Sequence, residues 1–260
     1  MKQSNFKYVF IVLCCTLLCA CEQNSSVKQK SGTFFVSPTK KVCFSPGNLQ
    51  YKASTRECRF AEHQYDFIGE ENEKISATYD GWIDLFCWGT GDNPARHYPH
   101  DVSIGLFDNF VDWGIRRIDN YPQNTWRTLS NEEWVYLFNT HQHSVATIDT
   151  IHGVIILPSK FRMPKGIQFV TNADKWDTNL YSVEDWEKLE NNGAIFLPAA
   201  GCWEEDFVGG AQEYGAYWSS TFICWNHSYN LFFREGRVYP DCEDNDGNND
   251  GMSVRLVRDL

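Results

Sequence analysis

Only two stretches of this 260-residue chain combine the start signal of an α-helix with a single apolar stripe, and the rest is cut into short extended runs. Ser130-x-x-Glu133 is a capping box, in which the serine oxygen and the glutamate carboxylate satisfy amides that a helix start leaves over. Trp134, Leu137 and Phe138 follow at helical spacing on one face. Ser182 opens a second helix in the same way, with Asp185 three residues on, Val183, Trp186 and Leu189 on one face, and Gly193 as the terminating residue. Around these helices, Lys41–Tyr51 and Arg56–Ala61 read as strands joined by a turn, with Pro46-Gly47 marking a bend or bulge and Tyr51 set opposite Glu57. Further strands are expected at Gly153–Leu157, Ala194–Pro198, Ala216–Thr221, Tyr229–Arg234 and Ser253–Val257. Two helices among many short strands predict an α+β domain, with the helices packed on mainly antiparallel strands, rather than a parallel α/β sheet.

The N-terminus has a different character. Lys2 and Lys7 form a basic region, Tyr8–Leu18 is apolar, and Ala20 is the small residue that a signal peptidase needs. An apolar run of about eleven residues is too short for the roughly twenty that span a bilayer as a helix, so it is expected to be a cleaved signal. Leu18-Cys19-Ala20-Cys21 resembles a lipobox, which makes Cys21 the expected lipidation site and the mature N-terminus. Two or three acyl chains there would anchor the chain stably to the outer membrane, on its periplasmic or its surface face. Glu22–Gly32 is polar and buries too little to fold, so it reads as a tether. The expected organisation is a signal peptide at 1–20, a tether at 21–32 and one globular domain at 33–260.

Charge and cysteine content narrow the partners. Removing Lys2 and Lys7 from 23 basic side chains leaves 21 against 34 acidic ones, a net charge near −13. Such a surface repels phosphate backbones and anionic headgroups, and no basic cluster is found that would override it locally, so nucleic acid is not an expected partner. Of ten cysteines, three leave with the signal and one is lipidated, leaving Cys43, Cys58, Cys87, Cys202, Cys224 and Cys242. None forms a C-x-x-C pair, and mostly free thiols, or at most one or two bridges, are expected.

Candidate chemistry concentrates near the C-terminus. Trp203, Trp225, Asn226, His227, Tyr229, Arg237 and Tyr239 lie in polar, Gly-rich or acidic stretches between the final strands. A flat ring covers an apolar face at low entropic cost while amides and charges orient a ligand, so these residues are the expected contacts for a glycan or a protein. Asp246-Gly-Asn248-Asn-Asp250-Gly251 matches the first half of a calcium loop, in which alternate oxygens converge on a hard cation. Val257 stands where the bidentate acid belongs, so the loop is not an EF-hand; Asp246, Asn248 and Asp250 remain candidate calcium ligands, to be completed by other loops. His141 and His143 would point the same way on an extended segment, yet no cluster accompanies them, and solvated loop histidines are the expected outcome, as for His97 and His100.

The phrases FSPGNLQY (Phe44–Tyr51), GWIDLFCWGTG (Gly81–Gly91), WRTLSNEEWVYLFNT (Trp126–Thr140), AIFLPAAG (Ala194–Gly201), YGAYWSST (Tyr214–Thr221) and MSVRLVRDL (Met252–Leu260) resemble a group of Bacteroides-type paralogous lipoproteins related to the Fibrobacter succinogenes major paralogous domain. The resemblance covers nearly the whole body. It implies a C-type-lectin-like fold, as in formylglycine-generating enzymes and the variable receptors of diversity-generating retroelements, with ligand-facing loops in the C-terminal stretch. It does not carry the oxidase chemistry across. Ser220-Thr221-Phe222-Ile223-Cys224 approximates the start of the copper motif, but the second cysteine is missing, and one thiolate cannot make a two-thiolate site. The expected function is therefore non-enzymatic binding of a glycan or protein in the cell envelope, through loops at Cys202–Phe207, Phe222–Tyr229 and Arg237–Asp250. A structural or adhesive envelope role, such as a pilus-associated one, is the alternative.

Overall fold

The computed structural model describes residues 32–96, 109–204, 207–243 and 247–260. Cys21 and the tether up to residue 31, His97, His100 and Asp246 lie outside the described residues. In chain order the regular elements are β1 (Phe34–Phe35), β2 (Lys41–Phe44), β3 (Leu49–Lys52), β4 (Glu57–Phe60), β5 (Trp82–Ile83), β6 (Leu85–Phe86), α1 (Asn131–Thr140), β7 (His143–Ile148), β8 (Ile151–Ile156), β9 (Leu180–Tyr181), α2 (Val183–Asn191), β10 (Ile195–Pro198), β11 (Cys202–Glu204), β12 (Phe207–Gly209), β13 (Tyr214–Cys224), β14 (His227–Arg234), β15 (Arg237–Cys242), β16 (Met252–Ser253) and β17 (Val257–Asp259). The strands form small sheets in the orders β1-β2-β17, β4-β3-β5, β10-β8-β7-β9, β11-β12 and β15-β14-β13-β16-β6. Among the described strands only β13 with β16 and β7 with β9 pair in parallel, so the class is α+β with mainly antiparallel strands.

Both helices begin where the sequence places them. Ser130 Oγ accepts from the Glu133 amide and the Glu133 carboxylate accepts from the Ser130 amide, closing the capping box. Trp134, Leu137 and Phe138 are buried, with the side of α1 that carries them laid against β13, β14 and β15. Ser182 caps α2 through the Asp185 amide, and Gly193, at φ +94°, follows its last turn. Trp186 and Leu189 are buried, but Val183 is exposed, so the apolar stripe of α2 begins one turn later than its sequence pattern suggests.

Several strand expectations are corrected. Lys41–Tyr51 is not one strand: Ser45–Asn48 breaks it, and β2 pairs with β17 while β3 pairs with β4 and β5. Gly47 lets the chain at the break pass close to Ala61, since a Cβ there would lie 2.5 Å from the Ala61 carbonyl oxygen. The register of the first hairpin is shifted by one, with Tyr51 opposite Cys58 and Lys52 opposite Glu57. The turn is four residues long and ends on Arg56 at φ +59°, which turns Cys58 and Phe60 inward beside Leu49 and Tyr51. Ser253–Val257 is likewise split between β16 and β17, in different sheets.

Three apolar clusters fill the interior. One lies between α1 and the β2, β7, β8, β10, β13 and β14 strands, a second contains Trp88, Trp113, Trp126 and Trp218, and a third seats α2 on β8 and β10 through Trp186 and Phe196. A polar network crosses between them. Arg255 Nη1 donates to Asn48 Oδ1 at 3.3 Å and Nη2 to Gln64 Oε1; Asn48 Nδ2 donates to the Tyr217 hydroxyl at 3.1 Å, which donates to the Pro198 carbonyl at 3.0 Å.

The entry of α1 is tied to both chain ends. Arg127 grips Glu133 with two N–H groups at 2.6 and 2.9 Å and reaches Asp259 at 2.7 Å, while Lys40 meets Glu133 at 3.2 Å. Burial alone would raise the Glu133 carboxyl, but the Arg127 bonds, the Ser130 amide and Lys40 outweigh it and hold the group below the ordinary glutamate range. A lowered native value stabilises the fold fully above the unfolded value and loses that contribution as pH falls through the native one. Glu133→Gln is expected to cost about 1–3 kcal/mol at pH 7. The difference from wild type should shrink as pH falls below the ordinary glutamate range and through the lowered native value, as read by chemical denaturation at a series of pH values.

Candidate functional site

The expected ligand-facing residues fall on β11 and on the β13-β14-β15 ribbon, and the fold separates them. Cys224 pairs with His227, so β13 and β14 are joined by a two-residue turn of Trp225 and Asn226. Trp225 sits at φ +57°, a conformation that costs a bulky residue energy, and its side chain is 66% exposed at the tip. Two irregularities between Trp218 and Cys224 give β13 extra residues over β14, which twists this end of the ribbon.

Asn226 and His227 flank the indole and fix the neighbouring segment. Asn226 Nδ2 donates to Asn249 Oδ1 at 2.7 Å, its carbonyl accepts from the Asn248 amide at 2.7 Å, and His227 bridges to Gly247. Tyr229 donates its hydroxyl to Glu243 Oε1 at 3.0 Å, and this carboxylate is the main reason that the phenol lies above its ordinary range. Around these residues lie side-chain polar atoms that are shut off from solvent and have no hydrogen-bond partner among the described residues: Asn226 Oδ1, His227 Nδ1, Ser228 Oγ, Asn230 Oδ1 and both amide atoms of Asn248. Most buried polar atoms are paired in folded proteins, and a concentration of unpaired ones in one short region marks a place where water or a ligand supplies the missing bonds.

Arg237 and Tyr239 do not belong to this end. Arg237 pairs with Arg234 and Tyr239 with Phe232, whereas the Trp225 turn abuts His227. At about 3.3 Å per strand residue, the seven steps from His227 to Arg234 put Arg237 about 23 Å from the turn. There Arg237 Nη1 donates to the Tyr239 hydroxyl at 2.9 Å, and Tyr239 ends a row of rings with Phe232 and Tyr214 at centroid spacings of 6.4 and 5.3 Å.

Trp203 is a correction. It is only 4% exposed, because Cys202–Glu204 is a strand rather than a loop. Its amide donates to the Gly251 carbonyl and its carbonyl accepts from the Gly251 amide, both at 2.8 Å. A Cβ on Gly251 would lie 3.0 Å from the Trp203 Cβ, so this glycine permits close packing and not the calcium-loop turn expected of it. Of the candidate calcium ligands, Asn248 and Asp250 are buried, in a segment pinned at both ends by the His227–Gly247 and Trp203–Gly251 bridges. Among the described residues no group of three or more His, Cys, Asp or Glu side chains could hold a metal ion.

The histidines after α1 also differ from solvated loop residues. His141 is the buried C-cap of α1, with Nε2 accepting from the Phe35 amide at 3.2 Å, and His143 Nδ1 lies 3.1 Å from the His141 carbonyl. Burial holds both rings below the ordinary histidine range. His141 pins the first strand to the helix end, and His143 packs edge-on against the Phe138 ring at 4.8 Å. Phe222, Ser228 and Glu243 fall within the expected loops without being singled out as contacts, and Asn230 lies outside them; Phe222 is 38% exposed and its ring lies 5.7 Å from that of Trp88. Strand alternation could have found Ser228 and Asn230, which share a face of β14 where apolar residues would be expected.

None of the six body cysteines forms a disulfide, and only Cys224 is exposed. Brief maleimide treatment of the native protein should label Cys224 first, and Cys43, Cys58, Cys87 and Cys202 only after unfolding, as read by peptide mass spectrometry. Trp203→Ala should lower stability by about 3–5 kcal/mol through the cavity it leaves, a loss measured by denaturant titration. Comparison of the chain with family models, with curated proteins and with solved structures returns no match.

Proposed function

We propose that this chain is a lipid-anchored, non-enzymatic envelope protein whose lectin-like body binds a glycan or a protein at the β13-β14 turn. The observation that carries the reading is Trp225: a large indole held out in a two-residue turn, beside polar atoms of Asn226, His227, Ser228, Asn230 and Asn248 that lack partners among the described residues. An exposed ring flanked by polar side chains is the composition of a recognition site, with the ring supplying contact area and the partly exposed Asn226, His227 and Tyr229 and the exposed Glu243 orientation, while Ser228, Asn230 and Asn248 are too buried for direct contact. Burial in the free protein removes Trp203 from the contact set, and distance removes Arg237 and Tyr239, leaving Trp225, Asn226, His227 and Tyr229 with Phe222 and Glu243. Support for the lectin-like scaffold comes from the order of the resembling motifs along the chain and from two helices packed on mainly antiparallel strands. The lipobox-like Leu18-Cys19-Ala20-Cys21 supports the anchor.

Glycan and protein arrays probed with the full chain in detergent test this reading. Trp225→Ala should weaken binding to the recognised ligand at least tenfold with unchanged thermal unfolding, while Tyr239→Ala should leave binding within twofold. Equal binding by wild type and the Trp225 variant would remove the turn as the site. Concentration-dependent self-association that depends on Trp225 would instead assign the turn to contacts between copies.

A further inference from the structure

The charge of the chain hides a local reversal. Arg56 and Arg59 lie on the first hairpin and Arg117 lies far along the chain, so no basic run appears in the sequence, yet the three line one cleft of about 540 Å³ together with Trp82, Glu57 and Asp119. The convergence has a definite cause. The Asp119 amide donates to the Cys58 carbonyl at 3.0 Å and Asp119 Oδ2 accepts from the Phe60 amide at 3.1 Å, which staples the 117–119 loop to β4. Arg116 points elsewhere, its Nε bonded to the Gly91 carbonyl at 2.6 Å, and Arg117 is left exposed on the cleft side.

Two of the guanidinium groups are held by one edge. Arg59 donates Nε to Gln50 Oε1 at 2.8 Å and lies over the Trp82 ring at 3.9 Å from its centroid. Arg117 donates Nε to the Asp119 carbonyl at 3.2 Å. In both cases the Nη pair, the fork that meets a carboxylate, sulfate or phosphate through two parallel bonds, has no partner among the described residues. Among the described residues none of Arg56, Arg59 and Arg117 is in an ion pair. Of the two acids in the cleft, Asp119 is occupied by the staple, and Glu57 accepts from the Thr55 hydroxyl at 2.9 Å.

We propose that this cleft binds a small ligand through a carboxylate, sulfate or phosphate group clamped between Arg59 and Arg117. The volume suits a ligand of one or two sugar rings or similar size. A long polyanion is disfavoured, because beyond a Debye length of about 8–10 Å it meets the net negative surface, whereas a single oxyanion senses only the local guanidinium groups. The site shares no residue with the Trp225 turn and does not depend on that reading.

Calorimetric titration of the full chain in detergent at low ionic strength tests it, with inorganic sulfate, inorganic phosphate, glucuronate and glucose 6-sulfate as probes and glucose as the neutral control. At least one oxyanion probe should bind one to one and weaken with added salt, while glucose gives no heat. Arg59→Gln and Arg117→Gln should each weaken that probe at least tenfold with unchanged thermal unfolding, and Arg56→Gln less. Trp225→Ala should have no effect. Tighter binding of the sugar acid or sugar sulfate than of inorganic anions would identify the sugar as part of the ligand, and equal binding would identify the oxyanion alone as what the cleft recognises. No heat from any oxyanion, or binding unchanged in both the Arg59 and Arg117 variants, would overturn the proposal. An acidic tripeptide binding more tightly than every small oxyanion would overturn its choice of ligand class.

Discussion

The guanidinium of Arg255 is 1% exposed and is answered by amide oxygens of Asn48 and Gln64 instead of a carboxylate in direct contact. Burial pulls its proton affinity down, to a pKa of about 10, with the Tyr217 hydroxyl and Glu190 opposing the shift. Its Nη groups are met by these two amides while its buried Nε has no partner among the described residues, so the cation depends on Asn48 and Gln64 and constrains both in turn. Asn48 sits in the break between β2 and β3; Gln64 also accepts from the Phe196 amide at 2.9 Å and donates to Glu190 at the end of α2 at 2.7 Å; Tyr217 belongs to β13. One side chain near the C-terminus thereby sets the relation of the first hairpin, the α2 layer and the central ribbon, which meet in three separate apolar clusters.

The two candidate sites inherit their positions from that frame. The ribbon carries the Trp225 turn because β13 is anchored at Tyr217 and Trp218 and then runs outward through its irregular pairing with β14. Trp218 Nε1 donates to the Phe86 carbonyl at 2.6 Å and Trp88 Nε1 to the Ser219 carbonyl at 2.9 Å, so the root of the turn is bound to β6 and to the residues after it. The arginine cleft depends on the first hairpin and on the Asp119 staple. In both places a hydrogen-bonded strand framework presents exposed side chains.

What was legible in the sequence was local. Ser130 with Glu133 and Ser182 with Asp185 announce helix starts because the cap, its amide partner and the first apolar residues lie within a few positions of one another. The strand pattern was legible in kind but not in pairing. Pro46-Gly47 looked like a bend in one strand and is the point where the chain changes sheets; Tyr51 faces Cys58 because a four-residue turn set the register. Trp203 misled for a related reason. Its polar neighbours suggested a loop, but its burial comes from Gly251, 48 positions later, which leaves room for the indole-bearing strand and exchanges two backbone hydrogen bonds with it.

The sequence by itself determined the α+β class, the two helices and most of their buried faces, Val183 excepted, the absence of any C-x-x-C pair, and the candidate tip residues Trp225, Asn226, His227 and Tyr229, because each of these is encoded by spacing within a few residues. Only the tertiary structure decided that Arg237 and Tyr239 lie at the far end of the ribbon, that Trp203 and His141 are structural, and that Arg56, Arg59 and Arg117 share a cleft. Those outcomes follow from strand register and from hydrogen bonds between distant segments, such as Asp119 with Cys58 and Phe60, and long-range pairing of this kind leaves no periodic trace in a single chain.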